Sequence, residues 1–252
     1  MIPARLFKYQ AFSRYALENV ERSALWFSAP IKFNDPFDCA LVIHRSQLTP
    51  QELEQVFHRE RQRKGRLLTD RFPSGSQDPG FRAAIERGVN KSFDLQRERH
   101  LNQCGVSCFA ERGDNLLMWA HYGLGHTGFC LEFDTSYEPF SLAYQVEYSD
   151  SVPQLSPVDL LSDALPQDHR YERAMLLTKS RCWDYEQEWR LIHAAADERI
   201  GYPPAALKGV YVGCNAEGSE VQSLVASSKH RGVATYRMER VVSDFALEPR
   251  GI

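Results

Sequence analysis

Trp183-Asp184-Tyr185-Glu186-Gln187-Glu188-Trp189-Arg190-Leu191-Ile192 places two carboxylates two residues apart, between large aromatic side chains and at the mouth of an apolar run. Read as a strand, its period-two alternation puts Glu186 and Glu188 on one face of a sheet. Neighbouring acids raise each other's pKa and seldom serve packing, so the pair implies either chemistry or a paired arginine. In the arginine reading, Glu186 or Glu188 pairs with Arg190 or Arg181 in a buried ion network.

Working outward, His169 to Lys179 reads as a helix that leads into this strand. After it, Lys208 to Gly213 reads as a buried strand, Asn215 as the cap of a helix to about His230, and 233–247 as closing strands. Near the N-terminus, Arg5 to Phe12 reads as a short strand, Ser13 caps a helix through Arg22, and Ala24 to Ser28 is a second strand. Thr49-Pro50-Gln51-Glu52 has Thr at the N-cap, Pro at N1 and Glu at N3, which opens a helix to about Lys64. Residues 65–80 read as a loop and about Pro79 to Arg99 as a second charged helix. Gly105 to Ala110 is a strand, and Asp114 caps a compact helix, Asn115 to Tyr122, that Gly123 ends. Thr127 to Phe133 and Tyr144 to Tyr148 are further strands, and Pro153 to Pro166 is a proline-marked connection with a short helix. Helices and strands mix without a repeating βα unit, which predicts an α+β fold rather than a doubly wound sheet. We expect one domain over 1–252, with a charged helical insertion at about 49–100.

The chain has 252 residues and a formal net charge of -3, so neither a global basic field nor an acidic excess points to nucleic acid or disorder. Acids interleave the bases of the two charged helices, which reads as a solvated face. The six cysteines form no CxxC pair, and Cys104 and Cys108 lack a matching His or Cys pair, so a zinc site is not expected. Free thiols fit a reducing compartment. The first residues, MIPARLFKYQAF, contain no signal-like apolar run, and no stretch approaches the roughly 20 apolar residues that cross a bilayer. These features predict a cytoplasmic protein with no membrane partner.

Gly123-Leu124-Gly125-His126-Thr127-Gly128 spells GxGxxG, but the predicted helix precedes it and the strand follows. A dinucleotide fingerprint needs the reverse order, so that phosphate meets a helix N-terminus. Trp119, His121 and Tyr122 read either as a core helix with a polar tip or as groups that stack on and hydrogen-bond a planar ring. Asn34-Asp35-Pro36-Phe37-Asp38 is a turn on its own. Combined with Glu186 and Glu188, Asp35 and Asp38 would form a Mg²⁺-dependent nuclease cluster, although no lysine follows the acids at the spacing such nucleases prefer. Ser28 and Ser107 lack the flanking glycines of a nucleophile elbow.

The series LFKYQAF, ALWFSAPIKFNDPFDC, VSCFAERGDNLLMWAHYGLGHTGFCLEFD and KSRCWDYEQEWRLI resembles a widespread prokaryotic family of domains of unknown function, from about Arg5 to about Gly213. More remotely, the chain is similar to toxin-type ADP-ribosyltransferases. Lys8-Tyr9 matches the basic residue of their first strand, Ser107-Cys108-Phe109 their serine strand, and Glu186-Gln187-Glu188 their late Glu-x-Glu. Lys8 stands where Arg or His is usual, and the serine strand lacks Ser-Thr-Ser. The resemblance implies a mainly antiparallel split sheet with peripheral helices, and NAD as substrate. It makes Glu188 the catalytic glutamate and Glu186 the group that orients or deprotonates the acceptor. The cofactor-binding set it implies is Lys8, Tyr9, Ser28, Asn34, Ser107, Phe109, Trp119, His121 and Tyr122, with Tyr9 or Tyr122 stacked on nicotinamide. ADP-ribose would pass to a macromolecule or to water, in phage defence or as a toxin, with an antitoxin or other partner protein. The alternatives are the nuclease and a non-catalytic sensor or binding module of a defence or toxin–antitoxin system.

Overall fold

The structure is a computed structural model that describes residues 1–43, 48–155 and 170–252. It begins with β1 (Arg5–Gln10), α1 (Arg14–Glu21), β2 (Ala24–Phe27) and β3 (Val42–Ile43). A helical excursion follows: α2 (Pro50–Lys64), α3 (Arg66–Arg71) and α4 (Pro79–Gln103). Then come β4 (Gly105–Ala110), α5 (Leu116–His121), β5 (Phe129–Asp134), β6 (Tyr144–Gln145), β7 (Glu147–Ser149) and β8 (Gln154–Leu155). The C-terminal part holds α6 (Arg170–Leu176), β9 (Thr178–Ser180), β10 (Glu188–His193), β11 (Glu198–Gly201), β12 (Leu207–Val212), α7 (Ser219–His230), β13 (Ala234–Arg240) and β14 (Leu247–Gly251). Most of the proline-marked connection, and the start of the helix expected from His169, lie outside the described residues.

Eight strands form one sheet in the order β14-β13-β12-β5-β1-β4-β10-β6. Neighbours are antiparallel except β12 and β13, which run parallel because α7 crosses between them. The α+β expectation therefore holds, in a mixed, mostly antiparallel sheet. Alternation sorts the faces. Leu6, Phe109, Leu131, Phe133 and Leu191 join Ala16 and Val20 of α1 and Leu224 of α7 in the larger core. Tyr9, Ala110, Cys130 and Met238 pack under Met118 and Trp119 of α5 on the other side.

The pairing of β1 sets up the site. Against β5 it runs in register from Arg5↔Asp134 to Gln10↔Phe129, but against β4 it pairs only at Phe7↔Ala110. Beyond that point β1 and β4 part. Farther along β4, Ser28 pairs with Val106, its N–H donating at 3.0 Å and its carbonyl accepting at 2.8 Å. The sheet thus has a split between its central strands.

Several boundaries differ from the sequence expectation, each for a local reason. The stretch 183–192 is not one strand. Arg181–Glu186 is a 3-10 turn, Gln187 is left-handed at φ 44 and ψ 54, and only Glu188 onward joins the sheet. Residues 65–80 hold α3 and a 3-10 turn at Gly75–Gln77, because Leu68 and Phe72 bury against Phe57 and Phe81 in a separate helical cluster. The Thr49 capping box forms as read, with Glu52 Oε2 accepting from Thr49 N at 2.7 Å. Asn115 rather than Asp114 caps α5, since Asp114 is forked by Arg112 while Asn115 Oδ1 accepts from Leu117 N and Met118 N. Tyr144 to Tyr148 divides between two sheets, β6 beside β10 and β7 beside β9. α7 starts at Ser219 because Asn215 turns its amide to Gly125 O. Lys179, expected at a helix end, lies on β9.

No helix among the described residues is long and apolar enough to cross a membrane. The Gly123–Gly128 loop has α5 before it and β5 after it, the order wrong for a dinucleotide fingerprint. Gly125 supplies a positive φ of 64, and close backbone approach demands glycine at Gly128 and, facing the loop, at Gly213. A Cβ on Gly128 would strike the carbonyl of Gln10, and one on Gly213 the carbonyl of His126.

Candidate active site

A cavity of about 510 Å³ opens at the split, and its walls come from five parts of the chain. β1 supplies Lys8 and Tyr9, the turn after β2 supplies Ser28 and Asn34, and β4 supplies Cys108 and Phe109. α5 and its cap supply His121 and Tyr122, and the β9–β10 segment supplies Lys179, Glu186 and Glu188. Nine of the eleven residues expected to bind cofactor or act in catalysis line this one space. Ser107 and Trp119 do not line it. Ser107 is buried and accepts Lys8 Nζ at 3.0 Å, so it supports the lysine from behind. Trp119 is fully buried, donates from Nε1 to Gly113 O at 2.9 Å and meets Tyr9 edge-on. Of that helix, Trp119 is core, and His121 and Tyr122 line the cavity.

Lys8 sits where the ladder fails. Its ammonium donates to the Cys108 carbonyl at 3.0 Å and to Ser107 Oγ, and it lies 5.0 Å over the Phe109 ring. Both acceptors are neutral. Burial lowers the Lys8 pKa, against smaller opposing effects from Cys108, Glu188 and Cys130. Tyr9 is held by its hydroxyl, which donates to Arg112 O at 2.7 Å and accepts from Asn115 N at 3.3 Å.

The opposite wall is a buried ion cluster. Arg190, 0% exposed, donates from Nε to Glu188 Oε1 at 2.8 Å and from Nη2 to Glu188 Oε2 at 3.0 Å. The same Nη2 reaches both oxygens of Asp38, at 2.9 and 2.8 Å. Lys179 Nζ stands among three carboxylates: 2.5 Å from Glu186 Oε2, 3.1 Å from Glu188 Oε2 and 3.6 Å from Asp38 Oδ2. The Tyr122 hydroxyl donates to Glu186 Oε1 at 2.7 Å, and the Tyr148 hydroxyl accepts from Glu188 N at 2.8 Å. Glu188 thus meets the arginine expected of it, whereas Arg181 turns outward to Asp150.

The two glutamates differ electrostatically. Burial pushes Glu188 up, but Arg190 and Lys179 outweigh it and hold the carboxylate well below its usual range. Burial pushes Glu186 up as well. There Lys179 opposes, Glu188 adds to the rise, and the net direction is upward. For Lys179 burial disfavours the charge, but Glu188, Glu186 and Asp38 more than compensate and keep the ammonium protonated.

Glu186 and Glu188 meet by a route other than strand alternation. The left-handed Gln187 and the turn before it fold Glu186 back toward β9, where Lys179 bridges it to Glu188. The four acids of the nuclease reading are arranged differently. Asp38, Glu186 and Glu188 surround the Lys179 ammonium, which stands where a divalent cation would have to sit, and Asp35 Oδ1 accepts from Phe37 N within its own turn. Among the described residues, no group of three or more His, Cys, Asp or Glu side chains is disposed to hold a metal ion. Cys104 and Cys108 are free thiols. Lys179 was missed by sequence reading, because a three-residue strand seven positions before Glu186 carries no periodic signal.

Neither a curated protein nor a solved structure matches the chain. Residues 118–191 match the model of a family described as a protein of unknown function, DUF2971. Over that span, which runs from α5 to β10 and contains Tyr122, Lys179, Glu186, Glu188 and Arg190, the chain is similar to a family of unknown function, as its motif series implies.

Proposed function

We propose that the chain is an ADP-ribosyltransferase-like enzyme that cleaves NAD in the cavity at the sheet split and passes ADP-ribose to a macromolecule or to water. The carrying observation is that Lys8, from the first motif, and Glu186 and Glu188, from the last, line one cavity although about 180 residues separate them. Ser107, from the middle motif, holds Lys8 in place. The volume falls within the roughly 300–1,000 Å³ of small-molecule sites. The aromatic rings of Tyr9, Phe109 and Tyr122 beside charged groups of both signs suit a ligand with a flat cationic ring and anionic phosphates.

Glu188 has the properties the reaction needs. As the bond from ribose to nicotinamide breaks, the electron pair leaves with nicotinamide and positive charge develops on the sugar. A carboxylate fixed in its ionised form by Arg190 and Lys179 stabilises that charge without reorganising. Glu186, whose pKa is raised, is the group suited to take a proton from the acceptor. Two carboxylates driven apart in pKa by one environment is the pattern of divided acid–base roles. Phage defence or toxicity would follow from NAD loss or from modification of an essential target, and an antitoxin or partner protein would restrain it.

The test is release of labelled nicotinamide from NAD by the wild-type protein and by Glu188→Gln. Release by the wild type and its loss in a folded variant is the expected result. Equal release from both, or none from either, overturns the reading.

A second reading has a specific observation behind it: both oxygens of Glu188 already accept hydrogen bonds from within the protein. In that reading the cluster is structural and the chain is a binding module. Glu188→Gln would then reduce stability and leave the binding of its partner intact.

A further inference from the structure

The ion cluster has an odd charge. Asp38, Glu188, Arg190 and Lys179 make a quartet of two anions and two cations, closed by contacts of 2.8 to 3.6 Å. Glu186 is the fifth member and the third carboxylate, joined to the quartet through Lys179 at 2.5 Å. A buried cluster with one carboxylate too many favours a proton on that carboxylate, and the proton goes where opposite charge is weakest. Arg190 serves Glu188 and Asp38, so Glu186 has only the shared ammonium and the Tyr122 hydroxyl.

We propose that Lys179 is a positioning residue that divides the work between the two glutamates, holding Glu188 permanently ionised and leaving Glu186 as the carboxylate that gains and loses a proton. Its consequence for catalysis rests on the NAD-cleaving reading, whereas its electrostatics rest on the cluster alone. In the reaction, Glu186 takes the proton of the acceptor hydroxyl or water as that oxygen bonds to the ribose carbon. The bond to nicotinamide breaks, nicotinamide leaves neutral with the electron pair, and the positive charge of NAD is balanced by the proton on Glu186. A proton gained next to Glu188 would quench the carboxylate that faces the sugar, and the Lys179 ammonium between the two acids prevents that.

The surroundings are consistent with this assignment. From α5, Tyr122 donates to Glu186, and from the 3-10 turn the Tyr185 ring carries its hydroxyl in the field of Glu186. From β7, Tyr148 faces both glutamates, and from β4 the Cys108 thiol lies in the field of Glu188. All four are neutral groups whose pKa values are raised, with burial as the leading cause, so none competes with Glu186 for the proton. The Lys179 ammonium also lies 5.1 Å over the Trp183 ring, which helps hold it between the acids.

The experiment is carboxyl carbon NMR titration of wild type, Lys179→Arg and Lys179→Met, with Glu186→Gln and Glu188→Gln to assign resonances. The pH profile of nicotinamide release is measured on the same proteins. Wild type should show Glu186 titrating above the ordinary glutamate range while Glu188 stays ionised to the acid limit of the fold. Lys179→Met should move the Glu186 midpoint, and the acid limb of the rate profile, upward by about one pH unit or more, and Lys179→Arg should nearly restore both. A Glu186 midpoint unmoved by Lys179→Met overturns the proposal. So does a wild type in which both glutamates titrate together, a measurement that stands even if Lys179→Met does not fold. Absence of nicotinamide release from every protein sinks the NAD reading alone, because the titrations still decide the role of Lys179.

Discussion

Glu132/Asp134 and Glu186/Glu188 are pairs of acids at the same spacing in different surroundings. Glu132 and Asp134 lie on β5 with Glu132 opposite Phe7 and Asp134 opposite Arg5. Arg5 bridges them at 3.0 and 3.1 Å, Lys208 adds to Asp134 at 3.6 Å, and the Tyr211 hydroxyl donates to Glu132 at 2.6 Å. That pair obeys strand alternation, keeps 17% and 18% side-chain exposure, and has its cations at the surface, Arg5 being 40% exposed. Glu186 and Glu188 break the alternation at Gln187, lie almost fully buried, share one ammonium and line a cavity. The Glu-x-acid spacing therefore does not make a site. What separates the two pairs is burial beside a cavity, with more carboxylates than cations.

Replacing one member in each pair should separate them most sharply. Glu188→Gln should lower nicotinamide release by about 10²–10³-fold, the range for loss of one preorganised electrostatic group. Glu132→Gln should leave it within about twofold, measured at saturating NAD in the same assay. Comparable losses in both variants would mean that the cavity pair holds no special place.

The two arginines make the next contrast. Arg190→Met strands Glu188 and Asp38 in the interior and should cost about 3–5 kcal/mol in urea unfolding, as expected when one partner of a buried ion network is removed. Arg5→Met should cost about 1 kcal/mol or less, because solvent screens a pair so exposed. A smaller gap would come from Tyr122→Phe. It removes a donor that lowers the pKa of Glu186, and should reduce nicotinamide release about tenfold while moving the acid limb of the profile upward.

Much of the scaffold was legible because its signals are local. Thr49 and Glu52 declare a capping box, Gly105 to Ala110 declares a strand, and the order of elements around the Gly123–Gly128 loop rules out a dinucleotide fingerprint. The Glu188–Arg190 contact was equally accessible, since two residues apart on a strand share a face. What stayed hidden depends on non-local geometry. The split exists because β1 and β4 part after one paired position, and no residue on either strand announces that divergence. Lys179 sits on a strand too short for periodicity to register, and its contact with Asp38 spans 141 positions of chain. The left-handed Gln187 was missed because glutamine carries no preference for that conformation, which tertiary contacts impose here: Asn115 Nδ2 donates to the Tyr185 carbonyl at 2.7 Å and anchors the turn to α5.

The smallest effect expected is on stability against pH, and its sign distinguishes the acids. Glu188 has a folded pKa below its unfolded one, so its contribution is fully present above the unfolded value, near 4.3, and is lost as pH falls toward the folded value. Asp134, held low first by its bond from Ser136 N, loses stability on the same acid side. Glu186 has a folded pKa above its unfolded one, so the folded state binds more proton between the two values and stability declines as pH rises through that window. Each unit between folded and unfolded pKa is worth about 1.4 kcal/mol. Glu186→Gln cannot titrate and should therefore flatten the decline on the neutral side while leaving the acid-side loss intact, as read from urea midpoints at successive pH values. If the neutral-side slope survives in Glu186→Gln, the extra proton of the cluster resides on another group, and the assignment of Glu186 as the proton-exchanging acid fails.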